Sequence, residues 1–304
     1  MPTLYDQIQS NKRKSAALVL IVLALVIGVV ALYSYYVRGD FVLPVLAAVL
    51  AIPSSLIGYY SGDKIALAVN RAKELPDAGG RELHNIVENL AITAGVPKPK
   101  VYWINSPALN AFATGRDPEH ASIAVTSGLV ERLNRSELEG VLAHELSHVK
   151  NYDIRFATLV AVFVGFLVIL SDLFLRMTFS PLRPSGFAGQ GGSRNRGDGG
   201  NLGAILVVVG LVLLVVSPIV AKLIQLAISR QREFLADSSG VLLTRYPEGL
   251  ASALEKISSG PPMERAGNAT AHLFIANPFK KKAFSHLFST HPPVAERIRR
   301  LKEM

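Results

Sequence analysis

The chain alternates between long apolar runs and polar blocks. Four runs, at about 15–37, 41–60, 156–175 and 202–221, carry a single charged residue between them, Asp172. Each is close to the ~20 residues that a helix needs to cross a ~30 Å hydrocarbon core. The first is too long for the core of a signal peptide and a second follows at once, so it reads as a retained span. A tight turn at 37–41 joins these two into a hairpin. Pro218 is expected to kink the fourth run near its end, where freed backbone groups need partners.

The polar blocks, 61–155 and 222–304, carry the patterns of mixed secondary structure. Residues 81–95 read as an amphipathic helix with Leu83, Ile86, Val87 and Leu90 on one face; it stops at Gly95, with Pro97 beyond. A strand is predicted at 100–104. Residues 121–126 alternate well enough for a second strand, at a sheet edge. Ser136, with Glu139 three residues on, has the form of a capping box, and the helix it opens runs to about Lys150. Further helices are predicted around 230–239, after Pro247 and after Pro293. The stretch 177–201 is rich in Gly, Ser, Asn and Arg and reads as a flexible loop. The expected architecture is an α-helical integral membrane protein. Four transmembrane helices form two hairpins, within 1–60 and 156–221, and an α+β domain is split into halves at 61–155 and 222–304.

Composition supports the membrane reading. Half of the residues are apolar, only 18% are charged, and the mean hydropathy is +0.33. The net charge of +9 suits either nucleic acid or an anionic lipid surface. With several apolar spans and no nucleic-acid module in the sequence, lipid is the expected partner. The chain has no cysteine, which excludes disulfides, thiol nucleophiles and thiolate ligands. Any metal must be held by imidazole and carboxylate.

The candidate chemistry is His144-Glu145-Leu146-Ser147-His148, an H-E-x-x-H pattern. On a helix, positions i and i+4 share a face, so both imidazoles can reach one ion. Glu145 stands beside them and can take a proton from a water that the metal activates. A catalytic zinc needs a third protein ligand and an open position. Glu233 is the candidate; a helix carboxylate of this kind is otherwise a solvated surface group. Asp237, one turn on, is placed to hold a ligand imidazole through its second nitrogen. One zinc ion per chain is expected.

These motifs resemble those of the HtpX-type membrane zinc endopeptidases of the gluzincin group. The resemblance rests on the two-plus-two arrangement of spans, the H-E-x-x-H pattern, and Glu233 with Asp237 in an E-x-x-x-D pattern. Asn110-Ala111-Phe112-Ala113 and Thr290-His291-Pro292 complete it. It covers nearly the whole chain. It implies an α+β gluzincin-type zinc protease domain, endoproteolysis, and quality control of misfolded or damaged membrane proteins under stress. The long loop at 177–201 departs from the pattern and bears on topology more than on chemistry.

Other residues carry weaker signals. The resemblance implies that His291 donates a hydrogen bond to the oxyanion formed in peptide hydrolysis; before Pro-Pro it is otherwise a turn residue. Asp153 either holds a ligand histidine or caps a helix end. The segment 110–126, including Val125 and Thr126, could offer an edge strand to an extended peptide, whose main chain would bind with little sequence preference; a plain hairpin is the alternative. Lys280-Lys281-Lys282 could meet anionic lipid or simply be solvated. His84, His120, His272 and His286 show no partner pattern and read as ordinary.

Orientation follows from the ligands. His148 and Glu233 can share an ion only if an even number of crossings separates them. Lys12-Arg13-Lys14 before the first span favours a cytoplasmic N-terminus, so both halves of the site face the cytoplasm from the cell membrane. Arg176, Arg183, Arg194 and Arg196 then lie outside, against the usual charge bias; the alternative is a second hairpin that is buried in protein or does not fully span. The expected substrates are polypeptides, chiefly membrane proteins. The competing functions are a prenyl-directed CAAX-type endopeptidase and a metal-containing, non-catalytic chaperone or scaffold. Intact Glu145 disfavours the scaffold and four spans disfavour the CAAX type. No oligomeric state can be read from the sequence.

Overall fold

The computed structural model describes residues 4–37, 42–179, 229–263, 266–279 and 292–304. The turn at 38–41, the fourth apolar run with Pro218, the loop at 177–201 beyond Phe179, Lys280–Lys282, His286 and His291 lie outside the described residues.

Two long helices open the chain, α1 (Leu4–Val37) and α2 (Val42–Val69). They pack on each other and on α6 (Asp153–Phe179), the helix that begins just after the H-E-x-x-H segment. Leu18 and Val22 of α1 form one apolar cluster with Phe156, Leu159, Val160, Phe163 and Val164 of α6. Among the described residues no helix is long and apolar enough to cross a membrane. Many side chains in the apolar stretches of α1, α2 and α6 fall outside the described set.

The α+β part is built on a four-stranded sheet with the order β1-β2-β4-β3. The strands are β1 (Lys73–Glu74), β2 (Lys100–Ile104), β3 (Ala111–Gly115) and β4 (Ala121–Thr126). β2 and β4 run parallel, with Val101 opposite Ile123; β3 returns antiparallel to β4, with Ala111 opposite Val125. The helix α3 (Arg81–Ala94) buries the predicted stripe of Leu83, Ile86, Val87 and Leu90. It ends at Gly95 in the left-handed conformation (φ 70°), whose amide closes the last turn. A residue with a Cβ would be strained there.

Two expectations are corrected. β4 is an interior strand, paired on both sides, and β3 is the edge. The main chain of Val125 and Thr126 is therefore spent inside the sheet and cannot receive a peptide. Thr126 instead braces the turn before β3, its hydroxyl donating to the Ala108 carbonyl (2.6 Å) and accepting from the Asn110 amide (3.0 Å). The second correction concerns α5 (Arg135–Lys150), which follows the short α4 (Ser127–Arg132) and whose N-cap is Asn134 and not Ser136. The Asn134 side chain accepts from the Glu137 amide at 2.9 Å, and Glu137 returns the bond to the Asn134 amide at 2.8 Å. Glu137 wins over Glu139 because it is buried and also takes Ser252 (2.6 Å) and Lys256 (2.7 Å) from α8 (Pro247–Ser259). Glu139 only pairs with Arg135 at the surface.

The helix α7 (Arg230–Thr244) crosses α5 closely. The contact is possible because of Gly240: a Cβ there would lie 3.1 Å from the His144 amide nitrogen. Gly240→Val is expected to push α7 outward, at a cost of about 1–3 kcal/mol for overpacking. Because Glu233 rides on the same helix, bound zinc should fall as well. Thermal unfolding and metal content, measured on one sample, check this; wild-type values for both would contradict it.

Candidate metal centre

The α5 helix brings His144 and His148 onto one face, with their rings edge to face and centroids 4.8 Å apart. Their Nε2 atoms approach to 3.3 Å. Two nitrogens bound at ~2.0–2.1 Å to one tetrahedral ion stand about 3.3–3.4 Å apart. From α7, Glu233 reaches the same point: Oε1 lies 3.6 Å from His148 Nε2 and Oε2 lies 3.9 Å from His144 Nε2. The three ligand atoms fall within 4.8 Å of one another.

Each imidazole is fixed from behind. Asp237 Oδ1 lies 2.9 Å from His144 Nδ1, and Asp153 Oδ2 lies 3.0 Å from His148 Nδ1. Each carboxylate accepts the Nδ1 proton and so turns Nε2 toward the shared point. Asp153 is also the first residue of α6, an acidic group in that helix's first turn.

Electrostatics fit a cation. Burial lowers His144 to about 4, helped by the Arg297 charge and opposed by Asp237, so this imidazole is neutral. Burial works against a charged His148, yet Asp153, Glu233 and Glu145 together raise it to about 9. Asp153, Glu233 and Glu145 thus surround His148 with negative charge, which a divalent ion at the shared point would offset. With two imidazoles, one carboxylate and no thiolate, the donor set suits zinc.

Glu145 is buried beside the pair. The backbone of Ala113 on the edge strand lies close enough to this carboxylate to favour its charged form. Its Oε1 has no hydrogen-bond partner among the described residues. Burial first, then the Glu233 charge, raises its pKa to about 7, against the pull of His148, Ala113 and Arg297. A carboxylate near neutrality with a free oxygen is equipped to take up and return a proton.

The pocket beside these groups is lined by Ala113, His148, Glu233, His272 and Ile275, among others. Of the predicted edge residues, Ala113 faces it. Asn110 and Ala111 are engaged by the returning chain: the Ile275 amide donates to the Ala111 carbonyl at 2.9 Å, and Asn110 Nδ2 donates to the Ala276 carbonyl at 2.9 Å. Phe112 points the other way, against Phe274 in the core. His272, read from sequence as ordinary, lines the pocket, with Nε2 3.0 Å from the Ala157 carbonyl.

Sequence reasoning missed Arg297, on α9 (Val294–Lys302). It is 1% exposed and grips Asp237 with both arms, Nε to Oδ2 at 2.9 Å and Nη2 to Oδ1 at 2.7 Å. Its Nη1 reaches the Ile275 carbonyl at 3.2 Å and lies 3.7 Å from Glu233. Burial alone would raise the pKa of Asp237; Arg297 and His144 overcome it and hold the carboxylate charged. A signal was available: Arg297 stands four residues before Leu301, on the helix face that buries that leucine.

Comparison with known proteins identifies the family. The profile of peptidase family M48 matches residues 78–304. A protease HtpX homolog of Caldanaerobacter subterraneus subsp. tengcongensis is 46% identical over 303 residues, covering 99% of this chain and 98% of the relative. A protease HtpX homolog of Dictyoglomus turgidum is 44% identical over 304 residues, covering 99% and 95%. Among solved structures, that of S. mikatae Ste24p is 20% identical with a TM-score of 0.49, over 98% of this chain and 67% of that one; so distant a likeness adds nothing to the assignment. The family profile and the end-to-end relatives do: the chain belongs to peptidase family M48, as a metalloprotease of the HtpX type.

Proposed function

We propose that the chain is a membrane-anchored zinc endopeptidase that cleaves misfolded or damaged membrane proteins at the cytoplasmic surface. The observation that carries this reading is the convergence of His144, His148 and Glu233 on one point beside Glu145 Oε1, which has no partner among the described residues. In this reading those three residues would hold one zinc ion, which would supply Lewis-acid polarisation of a peptide carbonyl and of the attacking water. Glu145 takes the proton of that water and passes it to the departing amine. Asp237 and Asp153 fix the two imidazoles, and His291 donates to the oxyanion. The strand edge at Ala113 aligns the substrate main chain, which favours extended, unfolded polypeptide over any one sequence.

Four spans in two hairpins would set the site close to the bilayer. His148 is about eight residues before the third apolar run and Glu233 about a dozen after the fourth, which at ~1.5 Å per helical residue puts the zinc within ~10–20 Å of the surface. Exposed Leu20, Ile21, Val45, Val49, Ile52 and Ile57 on α1 and α2 give an apolar exterior that suits lipid. The cytoplasmic orientation rests on Lys12-Arg13-Lys14.

The test is hydrolysis of unfolded casein and of a misfolded membrane protein by the detergent-purified chain. Cleavage should stop with a chelator and return with zinc, and Glu233→Ala should leave zinc well below one per chain. Full zinc in Glu233→Ala would remove that residue from the site. For orientation, a membrane-impermeant thiol reagent on intact cells should label Ser193→Cys and leave Ser259→Cys unlabelled. Labelling of Ser259→Cys alone would invert the topology.

A further inference from the structure

We propose that the N-terminal helix is a positioning element of the metal centre, acting through Asn11 on Asp153 and thereby on His148. The inference rests on the reading of His148 as a metal ligand.

Asn11 lies on α1, at the polar start that precedes the apolar run. It is 3% exposed, between the exposed or partly exposed Ser10 and Lys12. A buried asparagine inside a helix is disfavoured by propensity, and its amide must find partners. Both partners of Nδ2 lie far along the chain, in the corner between α5 and α6. It donates to the Asn151 carbonyl at 2.9 Å and to Asp153 Oδ1 at 2.7 Å. The other oxygen of that carboxylate is the one that holds His148 Nδ1. A continuous chain of bonds therefore runs Asn11–Asp153–His148.

The corner needs holding. Tyr152 sits at φ 59°, a left-handed conformation that is costly for a bulky side chain. Lys12, next to Asn11, places its ammonium 4.3 Å from the centre of the Tyr152 ring, a cation–π contact. Asn11 and Lys12 thus grip the three residues 151–153 from one side. From the other, Arg232 Nη1 of α7 approaches Asp153 Oδ1 at 3.7 Å. Without the Asn11 donor, Asp153 is free to turn toward Arg232, and the His148 imidazole loses its fixed orientation.

The experiment is zinc affinity by competition with a fluorescent chelator, on the full chain in detergent. Wild type, Asn11→Ala, Asp153→Asn and the double variant are compared, with melting temperatures recorded beside them. Loss of a group that orients a ligand imidazole weakens metal binding about 10–100-fold. Asn11→Ala, one bond further out, is expected near the low end, about tenfold. In the Asp153→Asn background the same change should cost no further affinity. A merely structural asparagine would lower the melting temperature in both backgrounds and leave the affinity ratio at one. Should Asn11→Ala fail to fold, the exposed change Lys12→Ala should weaken zinc in the same direction by a smaller factor, and unchanged affinity there overturns the proposal. Zinc held equally by wild type and Asn11→Ala overturns the proposal alone. Failure of wild type to bind zinc overturns the reading of the metal centre, and this proposal with it.

Discussion

Glu145→Gln is expected to slow casein hydrolysis by about 10²–10⁴-fold, the contribution of a positioned general base, while the zinc content stays that of wild type. The substitution keeps the shape and one acceptor oxygen, so the packing around the site is preserved. What it removes is proton uptake. Glu145 suits that task because burial lifts its pKa to about 7 and because Oε1 is unpartnered among the described residues. A glutamine there offers an amide that cannot accept the proton. Turnover within a few-fold of wild type would end the assignment of Glu145 as base. Loss of zinc would mean that Glu145 is itself a ligand.

The largest effect on stability is expected at Arg297. Arg297→Met removes a buried guanidinium and strands the buried carboxylate of Asp237, which has Arg297 on both oxygens. Breaking a buried pair from one side costs about 3–5 kcal/mol. Asp237 is also the partner of His144 Nδ1, so zinc affinity should fall by about 10–100-fold, as for other residues that support a ligand imidazole. Arg297→Lys keeps the charge without the two-armed geometry and should recover only part of either quantity. Unfolding in detergent and chelator competition measure the two separately. Wild-type behaviour of Arg297→Met in both would show that the α9 contact is dispensable.

The parts of the fold that were legible in sequence are those fixed by local pattern. The stripe of α3 with its Gly95 stop, the strands at 100–104 and 121–126, and the shared face of His144 and His148 are all settled within a few residues. A strand or hairpin within 110–126 was legible, but the bounds of β3 were not, because Ala111-Phe112-Ala113-Thr114-Gly115 is buried on both faces and shows no alternation. Sheet order escaped for a deeper reason: nothing local tells β4 that β3 will fold back on its far side. The start of α5 turned on two overlapping capping signals, and Ser252 and Lys256, over 100 residues away, decided between them. Arg297 sits among the surface arginines Arg299 and Arg300, and only the packing of α9 against α8 and α7 separates it from them. The carboxylate behind His144 was legible because Asp237 is one turn from Glu233. The donor behind Asp153 was not, because Asn11 lies 142 residues away.

X-ray absorption at the zinc edge of the metal-loaded chain tests the central claim most directly. The account predicts nitrogen and oxygen neighbours at ~2.0–2.1 Å with the outer-shell signature of two imidazoles. His148→Ala should lose one imidazole from that signature, and Glu145→Gln should leave it unchanged. A spectrum that is the same with and without His148, or that changes in Glu145→Gln, would contradict the assignment of the metal centre.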